Sequence, residues 1–111
     1  MSDVQVAFLA GLIVGEGSFT GDPKAGTWTC AVKMSARHEH LLRLVHSWSP
    51  LSRFYGPYPC KGNRQDQYVV HWRGPALVQL IRELEAFRLQ DYCPHVYGRM
   101  MIVKAKLEEL P

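Results

Sequence analysis

Glu16 is an acidic residue at the end of an apolar segment, and this unusual position indicates a chemical role. It follows the apolar run Leu9–Val14 and stands between Gly15 and Gly17. The residues from Val6 to Val14 carry no polar side chain, so they predict a buried helix that ends at the glycines. A carboxylate in the last turn of a helix meets the negative end of the helix dipole and is disfavoured there. A bound metal cation is the usual reason for such a placement, and we interpret Glu16 as a candidate metal ligand.

The helix that positions this acid also predicts a partner. Ser2 and Gln5 have the spacing of a capping box, so the helix is expected to begin at about residue 4. Ala7, Gly11 and Gly15 stand four residues apart and form a ridge of small residues that lets two backbones approach closely. A helix that is apolar on every side must be covered on every side. A second copy of the chain is the simplest cover for the outer side, and packing of the ridge against the chain's own sheet is the alternative.

The rest of the chain predicts two hairpins and three further helices. Alternation and turn residues place strands over residues 17–20, 27–35, 53–58 and 67–73, with a turn at 21–26 and a polar loop at 59–66. Helical spacing is found over residues 38–48, from the Gly74-Pro75 pair to Phe87, and over 97–110. The order α-β-β-α-β-β-α-α and the 111-residue length predict one α+β domain over residues 1–111.

Composition restricts the class of protein. With 47% hydrophobic and 21% charged residues, the chain is typical of a globular domain, and its net charge of +3 permits a nucleic-acid partner without requiring one. Cys30, Cys60 and Cys93 form no Cys-x-x-Cys pair, which argues against a zinc knuckle and favours free thiols in a reducing compartment.

The N-terminal apolar run lacks the basic flank of a signal peptide and is too short to span a bilayer. We therefore expect a cytoplasmic protein (organellar in a eukaryotic source) with no membrane partner.

The residues Leu9-Ala10-Gly11-Leu12-Ile13 and Gly15-Glu16-Gly17, followed by Ser18-Phe19, resemble the signature of the LAGLIDADG homing endonucleases. The predicted element order matches the minimal αββαββα fold of that family, followed here by a C-terminal helix, so the resemblance covers nearly the whole chain. It implies a four-stranded antiparallel saddle over duplex DNA. Because one motif is present, it also implies a homodimer on a near-palindromic site, from a free-standing or intron-encoded product rather than an intein. Val14 departs from the signature, where an acid is usual, but that position is not normally the metal ligand.

The resemblance implies roles for particular residues. The dimer interface is expected at the signature helix, through Ala7, Ala10, Gly11, Val14 and Gly15. Glu16 of each copy, assisted by the Gly15 carbonyl, is expected to bind Mg²⁺, which prefers oxygen ligands and supplies an activated water and charge neutralisation for phosphodiester hydrolysis. Mn²⁺ is expected to substitute, and Ca²⁺ to bind without supporting cleavage. The basic residues expected near the scissile phosphate are Lys33, Arg37 and Arg99, with Met34 as the register alternative to Lys33 and Lys104 as the alternative to Arg99.

The DNA contacts are expected on the exposed face of the sheet and on its hairpin loops. A two-stranded ribbon fits the major groove, where Arg and Lys read guanine edges. The candidates are Lys24, Thr27, Thr29, Lys33, Arg53, Tyr55, Lys61, Asn63, Arg64, Gln65, Gln67, His71 and Arg73. Alternate strand residues face opposite ways, so about half of the strand positions are expected to be right. The loop segment 61–64 is the strongest single cluster, and an ordinary solvated loop is its alternative.

Three functions are therefore compared. The first is a metal-dependent, site-specific double-stranded DNA endonuclease that acts as a homodimer and takes no small-molecule substrate. The second is a non-cleaving DNA-binding regulator or an RNA-splicing maturase on the same fold, and the third is a small dimeric protein-interaction domain. Retention of Glu16 favours the nuclease, because a pure binder needs no acid at a phosphate-facing dimer centre. None of the histidines is assigned a role in catalysis or metal binding: His38, His40, His46, His71 and His95.

Overall fold

The computed structural model describes residues 1–62 and 65–109. Its elements follow the predicted order, and the α+β fold class is confirmed. Two short 3₁₀ turns, Ala36–His38 and Leu89–Asp91, precede the second and fourth helices. The helices and strands are α1 (Asp3–Glu16), β1 (Gly17–Asp22), β2 (Thr27–Ser35), α2 (Glu39–Trp48), β3 (Arg53–Tyr58), β4 (Gln67–Arg73), α3 (Pro75–Ala86) and α4 (Pro94–Glu108).

Local sequence determines both ends of α1. The Ser2 hydroxyl oxygen accepts a hydrogen bond from the Gln5 backbone N–H at 3.1 Å, and the Gln5 side-chain oxygen accepts one from the Ser2 N–H at 3.0 Å. The predicted capping box is therefore present. At the other end the chain turns directly into β1, and a Cβ on Gly17 would lie 2.8 Å from the Ile13 Cα. Only glycine allows so close a turn, which places Glu16 as the last residue of the helix.

The four strands form one antiparallel sheet in the order β1-β2-β4-β3. The central pair, β2 and β4, runs in register from Thr29 opposite Arg73 to Ser35 opposite Gln67. The turn between β1 and β2 lies at the Arg73 end of this pair, whereas the loop between β3 and β4 lies at the Gln67 end. The two hairpin tips are therefore at opposite ends of the sheet.

The helices cover one face of this sheet. The buried strand residues are Phe19, Cys30, Val32, Val70 and Trp72, and they join one core with buried residues from all four helices. The strand residues between them are exposed or half-buried. The indole N–H of Trp72 donates to the Ser49 hydroxyl at 3.0 Å, so the largest core side chain has its polar atom satisfied.

Several predicted boundaries differ from the structure. The first strand continues two residues beyond Thr20, and α2 begins at Glu39 because His38 belongs to the preceding 3₁₀ turn. The last helix begins at Pro94 rather than Tyr97, since proline is favoured in the first turn of a helix. Phe87 follows the end of α3 instead of lying within it. Among the described residues, no helix is long and apolar enough to cross a membrane.

Candidate nucleic-acid interface

Helix α1 has an inner face that packs into the core and an outer face in contact with solvent. The inner residues are Val6, Leu9, Ala10 and Ile13. Ala10 is 2% exposed, so within one subunit it belongs to the core, although it also lies at the edge of a groove beside Ala7 and Gly11. The outer α1 face consists of Val4, Ala7, Phe8, Gly11, Val14 and Gly15. All six are small or apolar, and within a single subunit all six remain exposed.

Glu16 ends this helix and is exposed. No ion pair of the described residues involves its carboxylate. Gly17 pairs with Val32, and this register continued by one residue sets Glu16 level with Lys33. The acid therefore lies where the outer α1 face meets the sheet.

Apart from Glu16, a single chain has few groups near this position that could bind a metal ion. Residues 1–62 and 65–109 contain no group of three or more His, Cys, Asp or Glu side chains that could hold an ion. A lone exposed carboxylate and nearby carbonyls do not fit a structural zinc site, which needs four ligands. They do fit Mg²⁺, which keeps most of its waters and takes one or two carboxylates together with substrate phosphate oxygens.

The sheet face turned away from the helices, which we call the open face, contains all of the predicted strand contacts. Directly opposed residues share a face, and Thr29 is opposite Arg73, while His71 is opposite both Ala31 and Arg53. Only about half of the strand candidates were expected to point outwards, but all of them do. They are Thr27, Thr29, Lys33, Arg53, Tyr55, Gln67, His71 and Arg73.

The register also decides between Lys33 and Met34. Met34 is half-buried and packs against the core, opposite Tyr68. Lys33 is exposed, lies on the open face opposite Val69, and is level with Glu16. Lys33 is therefore the basic residue of β2 that could reach a phosphate near the acid.

His71 occupies the middle of the open face. Its Nδ1 atom is buried and has no hydrogen-bond partner among the described residues. The ring centroid lies 6.1 Å from that of Tyr55. Burial, with a further contribution from the positive charge of Arg73, holds the pKa of His71 below its usual value of 6.5. The side chain is therefore a neutral imidazole at pH 7, flanked by two arginines.

The hairpin ends place further polar groups beyond the open face. Lys24 is exposed in the turn after β1, where its backbone N–H donates to the Asp22 carboxylate at 3.0 Å. At the other end, the Gln65 side-chain oxygen accepts from the Arg37 N–H at 3.2 Å, so Arg37 lies against the loop between β3 and β4. Lys61 is exposed in this loop. The predicted contacts Asn63 and Arg64 lie outside the described residues.

The two candidates from α4 have different surroundings. The Arg99 guanidinium donates to the Phe19 carbonyl at 3.5 Å. Phe19 belongs to β1 and follows Glu16 by three residues, so Arg99 lies beside the strand that begins at the acid. The Lys104 ammonium instead pairs with the Glu85 carboxylate of α3 at 3.0 Å, and this pairing raises its pKa. The structure thus favours Arg99 over Lys104 as the basic residue near the phosphate, because the Lys104 ammonium forms an ion pair that joins α4 to α3.

Two groups of residues near the candidate interface were not predicted from the sequence. Ser18, Thr20, Ala31, Ser35 and Val69 also lie on the open face. Alternation along β2 would have identified Ala31 and Ser35 once Thr29 was placed there, whereas the residues of β1 and β4 also require the pairing of the strands. The second group is the segment after α3, which lies beside the outer α1 face. No sequence pattern indicates that contact, since it joins segments about 80 residues apart.

Known structures share this fold. It is similar to that of the homing endonuclease I-CvuI, solved in complex with its target in the presence of calcium, with a TM-score of 0.64 and 12% identity over 95% of this chain. It is also similar to the archaeal intron-encoded homing endonuclease I-Vdi141I complexed with DNA (TM-score 0.59, 17% identity, 96% of this chain). A third is the LAGLIDADG meganuclease I-CpaMI bound to uncleaved DNA (TM-score 0.58, 19% identity, 92% of this chain). At the level of sequence, no family model and no curated protein matches.

The chain therefore has the homing-endonuclease fold, an α+β domain with a four-stranded antiparallel sheet open on one face. Within that class the particular fold is the LAGLIDADG one, and the fold expected from the residues Leu9–Gly17 is confirmed. The chain is shorter than its structural neighbours, spanning 67%, 66% and 39% of I-CvuI, I-Vdi141I and I-CpaMI respectively.

Proposed function

We propose that this chain is one subunit of a homodimeric, metal-dependent endonuclease that cuts double-stranded DNA at a near-palindromic site. The observation that carries the proposal is the position of Glu16. This single exposed carboxylate lies where an uncovered apolar helix face meets an uncovered polar sheet face. The first face fits a second subunit and the second face fits a polyanion, so the acid would be positioned where both meet.

The open face supports the DNA part of the proposal. Lys33, Arg53 and Arg73 place positive charge along it, while its threonines, Tyr55 and His71 offer hydrogen-bonding groups. Charged groups of this kind neutralise phosphates, and hydroxyl and imidazole groups read base edges. Lys24 and Lys61 at the two hairpin tips would extend these contacts along the duplex.

The lone carboxylate favours a dimer, because Mg²⁺ takes one or two carboxylates and a second copy would supply the second. Two Glu16 side chains brought together at a two-fold axis would repel each other, and one would stay protonated unless a cation lay between them. When bound there, Mg²⁺ supplies an activated water and neutralises charge on the phosphate. Glu16 and the Gly15 carbonyl would hold the ion, and Lys33 would donate to a phosphate oxygen. Arg99 and Arg37 are the further cations assigned to the phosphate backbone near the cut.

The test begins with selection of binders from a randomised duplex library in Ca²⁺, followed by addition of Mg²⁺ to the selected duplexes. We expect a near-palindromic consensus that is cut near its centre. Glu16→Gln should abolish cutting and leave binding to the same consensus nearly unchanged, because the amide keeps the shape but loses the charge that holds the metal. Glu108→Gln is the matched control, since it neutralises an exposed helix-end acid on α4 and should cut like the parent protein.

The other outcomes identify the alternatives. Retained cutting by Glu16→Gln would refute the assignment of the metal ligand. A consensus that is bound but never cut would favour a regulator on the same fold. Absence of any salt-dependent affinity for DNA or RNA would favour the protein-interaction domain, because contacts to phosphates always weaken with salt.

A further inference from the structure

A groove runs along one side of the outer α1 face. Ala7, Gly11 and Val14 line one wall, and Leu89, Tyr92 and Cys93 from the segment after α3 line the other, around a volume of about 220 Å³. Tyr92 is 72% exposed. An open groove with apolar walls and an exposed aromatic ring at its rim is typical of an interaction surface.

The opposite side of the same face carries a protruding ring. Phe8 is 48% exposed and packs edge-on against Trp48, with ring centroids 5.8 Å apart. At 3.6 residues per turn, Phe8 and Val14 lie about 60° to either side of Gly11. The outer α1 face therefore has an aromatic ring on one side and a groove on the other.

Two-fold symmetry relates these two features. If both Glu16 carboxylates meet at the axis and the two outer α1 faces pack against each other along their length, the two α1 helices run roughly parallel to each other and to the axis. Rotation by 180° about that axis sets the Phe8 side of one helix opposite the groove side of its partner. The contact then occurs twice, as in every isologous interface. Phe8 and the groove also lie at the same level along the helix axis, because Phe8 stands between Ala7 and Gly11 and those two residues line the groove.

We propose that the exposed edge of Phe8 in each copy occupies the groove of the other copy, and that this reciprocal aromatic contact fixes the register of the dimer. The inference rests on the proposed function, from which it takes the meeting of the two Glu16 side chains at a two-fold axis. The groove is large enough, since an apolar cavity of roughly 150 Å³ holds a benzene-sized ring. Tyr92, which stacks on Phe87 at a centroid distance of 5.0 Å, would offer the incoming ring an aromatic neighbour, an arrangement that proteins favour.

The native thiol in the groove allows a direct test by cross-linking. Phe8→Cys is prepared with Cys60→Ser, and Cys30 is left in place because it is fully buried. A short bismaleimide should join the introduced thiol of one copy to Cys93 of the other and give a covalent dimer on a denaturing gel. The product should disappear when Cys93→Ser is added.

A second cysteine variant provides the matched control. Ile102→Cys replaces an apolar side chain that is 61% exposed on α4, away from the outer α1 face, and should give no covalent dimer in the same background. Phe8→Ala and Tyr92→Ala should each weaken dimerisation by roughly tenfold, since either change removes two aromatic contacts from each dimer. The double variant should be little weaker than either single variant, because both changes remove the same contact.

The outcomes separate this inference from the function on which it rests. A parent protein that is dimeric and cuts DNA, but whose Phe8→Cys variant gives no cross-link to Cys93, would overturn the reciprocal contact alone. Additive effects of Phe8→Ala and Tyr92→Ala would overturn it as well. A monomeric parent protein would overturn both the contact and the proposed homodimer.

Discussion

Replacement of Gly11 by leucine should stabilise the subunit and at the same time separate the dimer. A Cβ built at Gly11 meets no heavy atom within 4 Å outside its own helix, so the free subunit has room for a side chain there. Glycine in a helix interior costs about 0.8–1 kcal/mol relative to alanine, and leucine is close to alanine. We therefore expect Gly11→Leu to raise the free energy of unfolding of the subunit by roughly 0.5–1 kcal/mol.

The same side chain should be costly in the proposed dimer. Gly11 is at the middle of the outer α1 face, where two helix backbones would approach most closely. Forcing extra methylene groups into a packed contact typically costs about 1–3 kcal/mol, and each dimer would receive two of these side chains. The dimer dissociation constant should therefore rise by a factor of roughly 30 or more.

Sedimentation equilibrium over a range of concentrations measures the association, and urea denaturation below the dissociation constant measures the subunit. Gly98→Leu is the matched control: Gly98 is exposed in α4, and a Cβ there also meets nothing within 4 Å. It should gain the same helix stability and remain dimeric. An unchanged dimer mass for Gly11→Leu, or equal dissociation of both variants, would refute the placement of the interface on α1.

Three further predictions concern the open face and the core. Lys61→Ala should weaken DNA binding and reduce the dependence of log K on log salt by about two, since each homodimer loses two lysines, whereas Lys106→Ala on α4 should change neither; an equal effect of both would move the DNA surface elsewhere. The pKa of His71 is lower in the folded state than its ordinary value of 6.5, so the unfolded chain binds more protons and stability falls as the pH drops from above 6.5 towards the lowered pKa. His71→Gln should flatten that part of the profile of urea midpoint against pH, and an unchanged profile would contradict the assignment. Trp72→Phe should cost roughly 1–3 kcal/mol in urea denaturation, because it leaves a cavity and leaves the Ser49 hydroxyl without its donor; a loss below about 0.5 kcal/mol would show that this site relaxes.

Features that depend on neighbouring residues could be predicted from the sequence. The capping box of Ser2 and Gln5 and the close turn at Gly17 act within one helical turn, and the predicted α1 ends close to where the structure has it. The bounds of β2 and β4 were also predicted correctly, since alternation and the neighbouring glycines, Gly26 before β2 and Gly74 after β4, are local signals. Alternation also groups the side chains of the open face, but the pairing of the strands was needed to show which set faces away from the helices.

Features created by distant segments could not be predicted in this way. Ala10 is apolar like its neighbours, and only the packing of α1 on the core shows which side of the helix it occupies. The groove at Tyr92 exists because a segment about 80 residues further along the chain returns to α1. The lowered pKa of His71 likewise depends on burial in the middle of the sheet, which no spacing in the sequence specifies.

The absence of an acid at Val14 has a consequence for the proposed metal site. Val14 is 41% exposed on the outer α1 face, two residues before Glu16, at the position where the signature usually has an acid. An acid there would bring four carboxylates near the two-fold axis, whereas this chain brings two. Like charges at close range disfavour ionisation and association, so the metal-free dimer of this chain experiences less repulsion across the axis. The apolar side chain also extends the surface that the partner can cover. We therefore expect this protein to dimerise before it binds metal, with the cation needed for cleavage and not for assembly.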